Sequence, residues 1–217
     1  MTGAVMDWQR TQRIGLPEAV YAPGKTPAQI EAVVGTARSL DHRLLITGLE
    51  PDKHALLAPD ARSALDYDPC SRTAILGAME TPLGAEVAIV TGGLADLPVA
   101  TEAGRTLAFS GVGSQCYADI GVAGLWRLLD RLEEIRRHRL VIAVAGMEGA
   151  LFSVLAGLIA APIIALPTSV GRGVATGGRV ALESALASCA PGLVTVNVDN
   201  GFGAAQAALR ILNFRPT

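Results

Sequence analysis

LVIAVAGMEGALFSVLAGLIAAPIIALPTS, residues 140–169, decides the fold. Its single charge is Glu148. Length and hydropathy alone would admit a membrane-spanning helix. Gly146, Gly149 and Pro162 interrupt the run, however. The β-rich pieces LVIAVAG and APIIALP flank a piece with helical character. The reading is therefore strand, helix, strand, all buried. Strands that are apolar throughout, without alternation, belong to a parallel sheet covered on both faces.

The same grammar extends in both directions. Upstream, EVAIVTGG (86–93) is an apolar run ending in glycines, and DLPVATEAGRTLAFSG (96–111) is a helix with Asp96 at its start and Gly111 after its end. SQCYADIG (114–121) is a short strand and turn, and VAGLWRLLDRLEEIRRH (122–138) a helix with one charged face. Downstream, a glycine-rich loop precedes GRVALESALASC (178–189), a helix, followed by LVTVNVDNG (193–201), a strand, and FGAAQAALRILN (202–213), a last helix. Strands alternating with helices predict an α/β fold with a three-layer, parallel-sheet core over residues 83–217. Residues 1–82 read as a smaller α/β region. TPAQIEAVVGTARSL (26–40) is a helix, RLLITGLE (43–50) a strand, PDKHALLAPDARSAL (51–65) a helix and RTAILGAM (72–79) a strand. Residues 1–25 read as an extended arm, and ETPLG (80–84) as the linker turn.

Composition narrows the function. Half of the 217 residues are hydrophobic but only 4% are aromatic, so the core is built from Ala, Val, Leu and Ile. A net charge of −2 gives no general drive toward nucleic acid. The three cysteines, Cys70, Cys116 and Cys189, are far apart and make no metal spacing or disulfide framework. A reducing cytoplasm is the natural setting. The first fifteen residues are polar and lack the apolar segment of a secretory signal.

Ligands of open α/β sheets sit beyond the C-terminal ends of the strands. Here those ends are TGGLAD (91–96), DIGVAG (119–124), AGMEG (145–149), PTSVGRG (167–173) and VDNGFG (198–203). Glycine recurs in all of them, and converging glycine loops with helix N-termini predict an anionic ligand approached by backbone N–H groups. The candidate contacts are Gly92, Gly93, Gly124, Gly146, Met147, Gly171 and Gly201, with Thr168, Ser169 and Arg172 suited to phosphate. Glu148 follows an apolar strand and opens an apolar helix. It is either a carboxylate favoured by the helix dipole or a general base tuned by a dry setting. Asp96 fits a helix N-cap. Asp119, Asp199 and Asn200 also end strands, and capping suffices for them. Asp199 is the candidate Mg²⁺ ligand, since Mg²⁺ takes few carboxylates plus substrate oxygens. Cys189 is either a small buried hydrophobe or a nucleophile, with no neighbouring base to lower its pKa. No histidine lies in these loops, so a histidine triad or zinc site has no support.

Several segments together resemble the LarB family, the pyridinium-3,5-biscarboxylic acid mononucleotide synthases of nickel-pincer cofactor synthesis. They are GGLADLPVATEA (92–103), YADIGVAGLWRLL (117–129), AVAGMEGA (143–150), PTSVGRG (167–173), SCAPG (188–192) and VNVDNGFGAA (196–205), with DWQRTQRIGLPEAVYAPGKTPAQI (7–30) in the arm. The C-terminal part of such proteins is similar to PurE-type aminoimidazole ribonucleotide carboxylases, which implies a PurE-like fold and a homo-octamer. The resemblance further implies a small-molecule dinucleotide substrate, nicotinic acid adenine dinucleotide, with carbon dioxide or bicarbonate as co-substrate. It implies no organic cofactor, nucleic acid or membrane partner. It makes Cys189 the thiolate that adds to the pyridinium and Glu148 the base that takes the C5 proton, with Asp96 and Arg127 retained in the site. Where the family usually has threonine and serine before the aspartate, this chain has Leu94 and Ala95. Trp126 replaces a usual histidine, and Arg172 a usual tyrosine. Two other readings remain: a PurE-like carboxylase of an imidazole ribonucleotide, and a non-catalytic, oligomeric nucleotide-binding homologue.

Overall fold

The computed structural model describes residues 6–79, 82 and 84–213. The chain divides into two compact units, Met1–Glu80 and Thr81–Thr217. Glu80, Thr81 and Leu83 of the expected linker turn, and the first five residues of the arm, lie outside the described residues.

The first unit runs α1 (Arg10–Ile14), β1 (Ala19–Tyr21), α2 (Pro27–Ser39), β2 (Leu44–Thr47), α3 (Pro51–Ala55), α4 (Pro59–Ser63), β3 (Leu65–Asp68) and β4 (Thr73–Leu76). Its sheet has the order β1-β2-β4-β3, with β1 parallel to β2 and the other pairs antiparallel. Helix α2 starts with a reciprocal cap: Gln29 N donates to Thr26 Oγ1, and Thr26 N to Gln29 Oε1. Its buried stripe of Ile30, Val33, Val34 and Ala37 packs with Leu44, Ile46, Ala74 and Leu76 of the sheet. Three expectations fail here. The arm is not merely extended, because it contributes α1 and the edge strand β1. The helix expected over 51–65 is two short helices, since Pro59 holds Ala58 extended at ψ 145° and breaks the run. Leu65, expected to end that helix, instead opens β3, which pairs with β4.

The second unit alternates strand and helix: β5 (Ala85–Thr91), α5 (Leu97–Phe109), β6 (Gly113–Tyr117), α6 (Leu125–Ile135), β7 (Leu140–Ala145), α7 (Ala150–Leu158), β8 (Ile163–Pro167), α8 (Arg179–Leu186), β9 (Leu193–Thr195) and α9 (Gly201–Asn213). The decisive stretch is thus β7–α7–β8, as read. All strand pairs are parallel, in the order β6-β5-β7-β8-β9. Every residue of β7 and β8 is buried, which explains their unbroken apolar character. One sheet face, including Ala88, Val90, Val141, Ala143 and Ala165, packs on residues of α6, α7 and α8. Helices α5 and α9 pack together, α5 on β5 and β6, and α9 on β7 and β8. This is a three-layer, PurE-like α/β core. Strand β9 ends at Thr195, earlier than expected, and the chain then turns toward α9. Among the described residues no helix is long and apolar enough to cross a membrane.

Candidate functional site

Strand order locates the site before any side chain is considered. The chain leaves β5, lays β6 on one side of it, and then places β7 on the other. The connections from β5 and β7 therefore leave in opposite senses and open a crevice between the C-terminal ends of these strands. A cleft of about 350 Å³ lies there. Its lining includes Gly92, Gly93 and Asp96 after β5, residues 121–123 and Arg127 at the start of α6, residues 145–151 from β7 into α7, and Val170 after β8.

Asp96 ties the floor together. It is buried; Thr168 Oγ1 donates to its Oδ1 at 2.6 Å and Gly93 N to its Oδ2 at 3.0 Å. Burial pushes its carboxyl above the ordinary aspartate range, against the pull of the Thr168 and Gly93 hydrogen bonds. The charge of Asp199 pushes the same way as burial, and a Gly146 backbone hydrogen bond opposes it. Asp96 was expected as the N-cap of α5. Its side chain makes no cap bond to that helix, because it turns back to Gly93 and across to Thr168.

Arg127 supplies the cation of the cleft lining. Its Nη1 lies 2.9 Å from Asp119 Oδ2, and a Cβ on Gly124 would press to 2.8 Å from its Nε. Gly124 thus gives room to the guanidinium without lining the cleft. Glu148 lines the cleft at the lip, immediately before the left-handed Gly149 that starts α7. It is exposed, so the dry setting expected for it is not present in the single chain. Cys189 is exposed in the connection from α8 to β9. That connection enters β9 where Leu193 pairs with Ile163 at the start of β8, and Ser188, beside Cys189, hydrogen-bonds Ser153 of α7 at 2.7 Å. Cys189 is not among the residues that line the cleft of its own chain.

Residues 1–78 match the family described as the LarB/PurE-like N-terminal domain, and residues 86–216 match AIR carboxylase. The chain belongs to the LarB family. An uncharacterised protein of Methanocaldococcus jannaschii is 34% identical over 209 residues, which cover 92% of this chain and 80% of that protein. The LarB assignment makes this a carboxylase-related protein with a PurE-like domain.

In this LarB-family chain the glycine loops are used differently from the sequence expectation. Backbone N–H groups were expected to face a phosphate, yet most are spent on the loops themselves. Gly92 N donates to Val144 O, Gly124 N to Gly121 O, Met147 N to Val170 O and Gly149 N to Gly146 O. Ser169 N donates to Asp199 Oδ1, and Asp199 N to Pro167 O. At the start of α9, Gly201 N goes to Glu102 Oε2 and Gly203 N to Asn200 Oδ1. The glycines serve close packing instead. A Cβ on Gly146 would overlap Val170 O, one on Gly121 would overlap Gly92 O, and one on Gly171 would overlap Ala175 O.

Of the expected residues, Gly92, Gly93, Asp96, Arg127, Gly146, Met147 and Glu148 line the cleft. Thr168 is fully buried behind Asp96, so it cannot also contact phosphate as expected. Ser169, Gly171, Arg172, Asp199 and Asn200 lie in the loops after β8 and β9, and Gly201 opens α9, all outside the lining. Ala95, Gly121–Ala123, Ala145, Gly149–Leu151 and Val170 were not among the expected contacts. The GVAG turn and the first turn of α7 were the available signals. Backbone strain marks the same edge: Asp119, Met147 and Asp199 have φ of 57°, 52° and 55°. No three acidic, histidine or cysteine side chains gather as a cation cage among the described residues. Asp96 has both oxygens engaged, whereas Asp199 uses only Oδ1, on Ser169 N, so of the two it is Asp199 that would hold Mg²⁺ beside substrate oxygens.

Proposed function

We propose that this protein carboxylates C5 of the pyridinium ring of nicotinic acid adenine dinucleotide and hydrolyses the phosphoanhydride. The products are pyridinium-3,5-biscarboxylic acid mononucleotide and AMP, and the reaction opens nickel-pincer cofactor synthesis. One observation carries the reading. A chain with LarB and AIR carboxylase regions places Glu148 at the lip of a small-walled cleft at the switch point of its sheet.

The pyridinium ring is electron-poor, and its C5 does not attack carbon dioxide. Addition of the Cys189 thiolate forms a carbon–sulfur bond and turns the ring into an enamine-like dihydropyridine with a nucleophilic C5. C5 then bonds to carbon dioxide, which bicarbonate can supply. Glu148 takes the C5 proton, and the electron pair left behind expels the thiolate and restores the aromatic ring. Water cleaves the phosphoanhydride and releases AMP. Cys189 is exposed and outside the cleft lining of its own chain, and on this reading the thiolate in each cleft comes from a second copy within a homo-octamer.

The test is incubation with the dinucleotide, ¹³C-bicarbonate and Mg²⁺, followed by mass spectrometry. AMP and a dicarboxylated mononucleotide, both lost in Cys189→Ala, are expected. Ligand binding without either product would favour a non-catalytic nucleotide-binding protein. That reading is supported by the exposure of Glu148 and by Leu94, Ala95 and Trp126 in place of polar residues.

A further inference from the structure

An exposed thiol in an irregular connection adds to a ring efficiently only if something aims it. Cys189 lies in such a connection, between α8 and β9. Helix α8 ends at Leu186, and Ala187 N closes its last turn on Glu183 O. Ser188 Oγ then accepts from Ala190 N at 3.2 Å, which folds the chain around Cys189. The same Oγ lies 2.7 Å from Ser153 Oγ, one hydroxyl donating to the other. Ser153 is the fourth residue of α7, the helix whose first two residues line the cleft. Beyond Cys189, packing gives little support. Pro191 and Gly192 border an open apolar hollow of about 240 Å³, with Ala156 and residues 159–163 on its other side. Both chain neighbours of Cys189 are thus held by one hydroxyl, and that hydroxyl is anchored to α7.

From this arrangement we infer that Ser153 and Ser188 are positioning residues for the Cys189 thiolate. The inference rests on the proposed reaction, in which that sulfur must meet one carbon of a bound pyridinium ring. Neither serine lines the cleft, so each acts through Cys189 and not on the substrate. Freed from α7, the chain around Cys189 gains backbone conformers, and few of them align the sulfur with the ring. A misplacement of about 1 Å at the reacting atoms costs on the order of 10²-fold in rate. Substrate binding is left alone, because the cleft keeps its walls. The thiol also stays as exposed as before, so its reaction with a small reagent that needs no alignment is left alone as well. The serine pair sets where the sulfur points, not how reactive it is.

The experiment follows carboxylation of nicotinic acid adenine dinucleotide by the full-length protein, beside alkylation of Cys189 by iodoacetamide. Alkylation is read peptide by peptide, which separates Cys189 from the exposed Cys70 and Cys116. Ser153→Ala and Ser188→Ala should each lower kcat about ten-fold or more, with KM within about two-fold of wild type. The alkylation rate of Cys189 should also stay within about two-fold. Ser188→Thr keeps a hydroxyl and should recover most of kcat. The double alanine variant should be no slower than Ser188→Ala, because the two serines act through one contact. Unchanged kcat in both alanine variants overturns the inference. So do losses that appear in KM, losses that multiply in the double variant, or alkylation that falls in step with kcat. A wild-type protein that forms no product sinks the proposed reaction, and this role with it. Product that is lost in Cys189→Ala but indifferent to both serines overturns the positioning role alone.

Discussion

Asp96 shows how one carboxyl can hold a site without being its reactive group. Its position after an apolar strand was plain in the sequence. Its partner Thr168 was not, because 72 residues separate them and only the adjacency of the strand ends joins them. Thr168→Val keeps the shape and removes a buried donor. It should cost about 1–3 kcal/mol in urea unfolding. It should also raise the Asp96 pKa further, since the Thr168 bond is the largest of the hydrogen bonds that pull it down. The sign for wild type follows from the raised folded pKa. The contribution of Asp96 to stability is full below the unfolded value of 3.8 and declines as pH rises through the higher folded value. Asp96→Asn does not titrate, so its Tm relative to wild type should rise with pH across the acidic range. A difference that stays flat with pH would contradict the buried, raised carboxyl.

At the scale of elements, the connection from β7 to α7 bears the closest packing. Gly146 touches Val170 O so nearly that a side chain has no room, and Gly149 is left-handed at φ 64° with Phe152 beneath it. Gly149→Ala should cost about 1 kcal/mol for the backbone alone, and more where the Phe152 ring must move. Gly146→Ala should part the loops after β7 and β8. Circular dichroism melts would show a larger Tm loss for Gly146→Ala than for Ala substitution at Gly157, which has open space around it. The elements of this half were legible because β7 and β8 are apolar throughout and the helices between strands are punctuated by glycine and proline. In the other half, β1 and β3 were not legible. Three or four residues are too few for a period, and both strands exist through pairing with β2 and β4. The purpose of the loop glycines was also invisible, since close packing and phosphate binding demand the same residue.

For the whole molecule, the two units have separate hydrophobic cores. Residues 81–217 expressed alone should therefore unfold cooperatively, with helical circular dichroism retained. A cleft lined by Glu148 but not by Cys189 of the same chain makes a second expectation at this scale. Cys189→Ala and Glu148→Gln should each lack carboxylation. Co-expressed, they should regain part of it through oligomers in which an intact thiol meets an intact carboxylate. No regained activity, with mixed oligomers verified by mass, would mean that each cleft does not draw its thiol and its carboxylate from different chains.

The amides committed within the glycine loops also bear on timing and heat. Amides such as those of Gly92, Met147 and Gly149, already bonded within the protein, need no ligand to order them. Their exchange with deuterated solvent should be slow in the free protein and nearly unchanged on binding. A guest then meets a shape made in advance, and little of its binding energy is spent on quieting the chain.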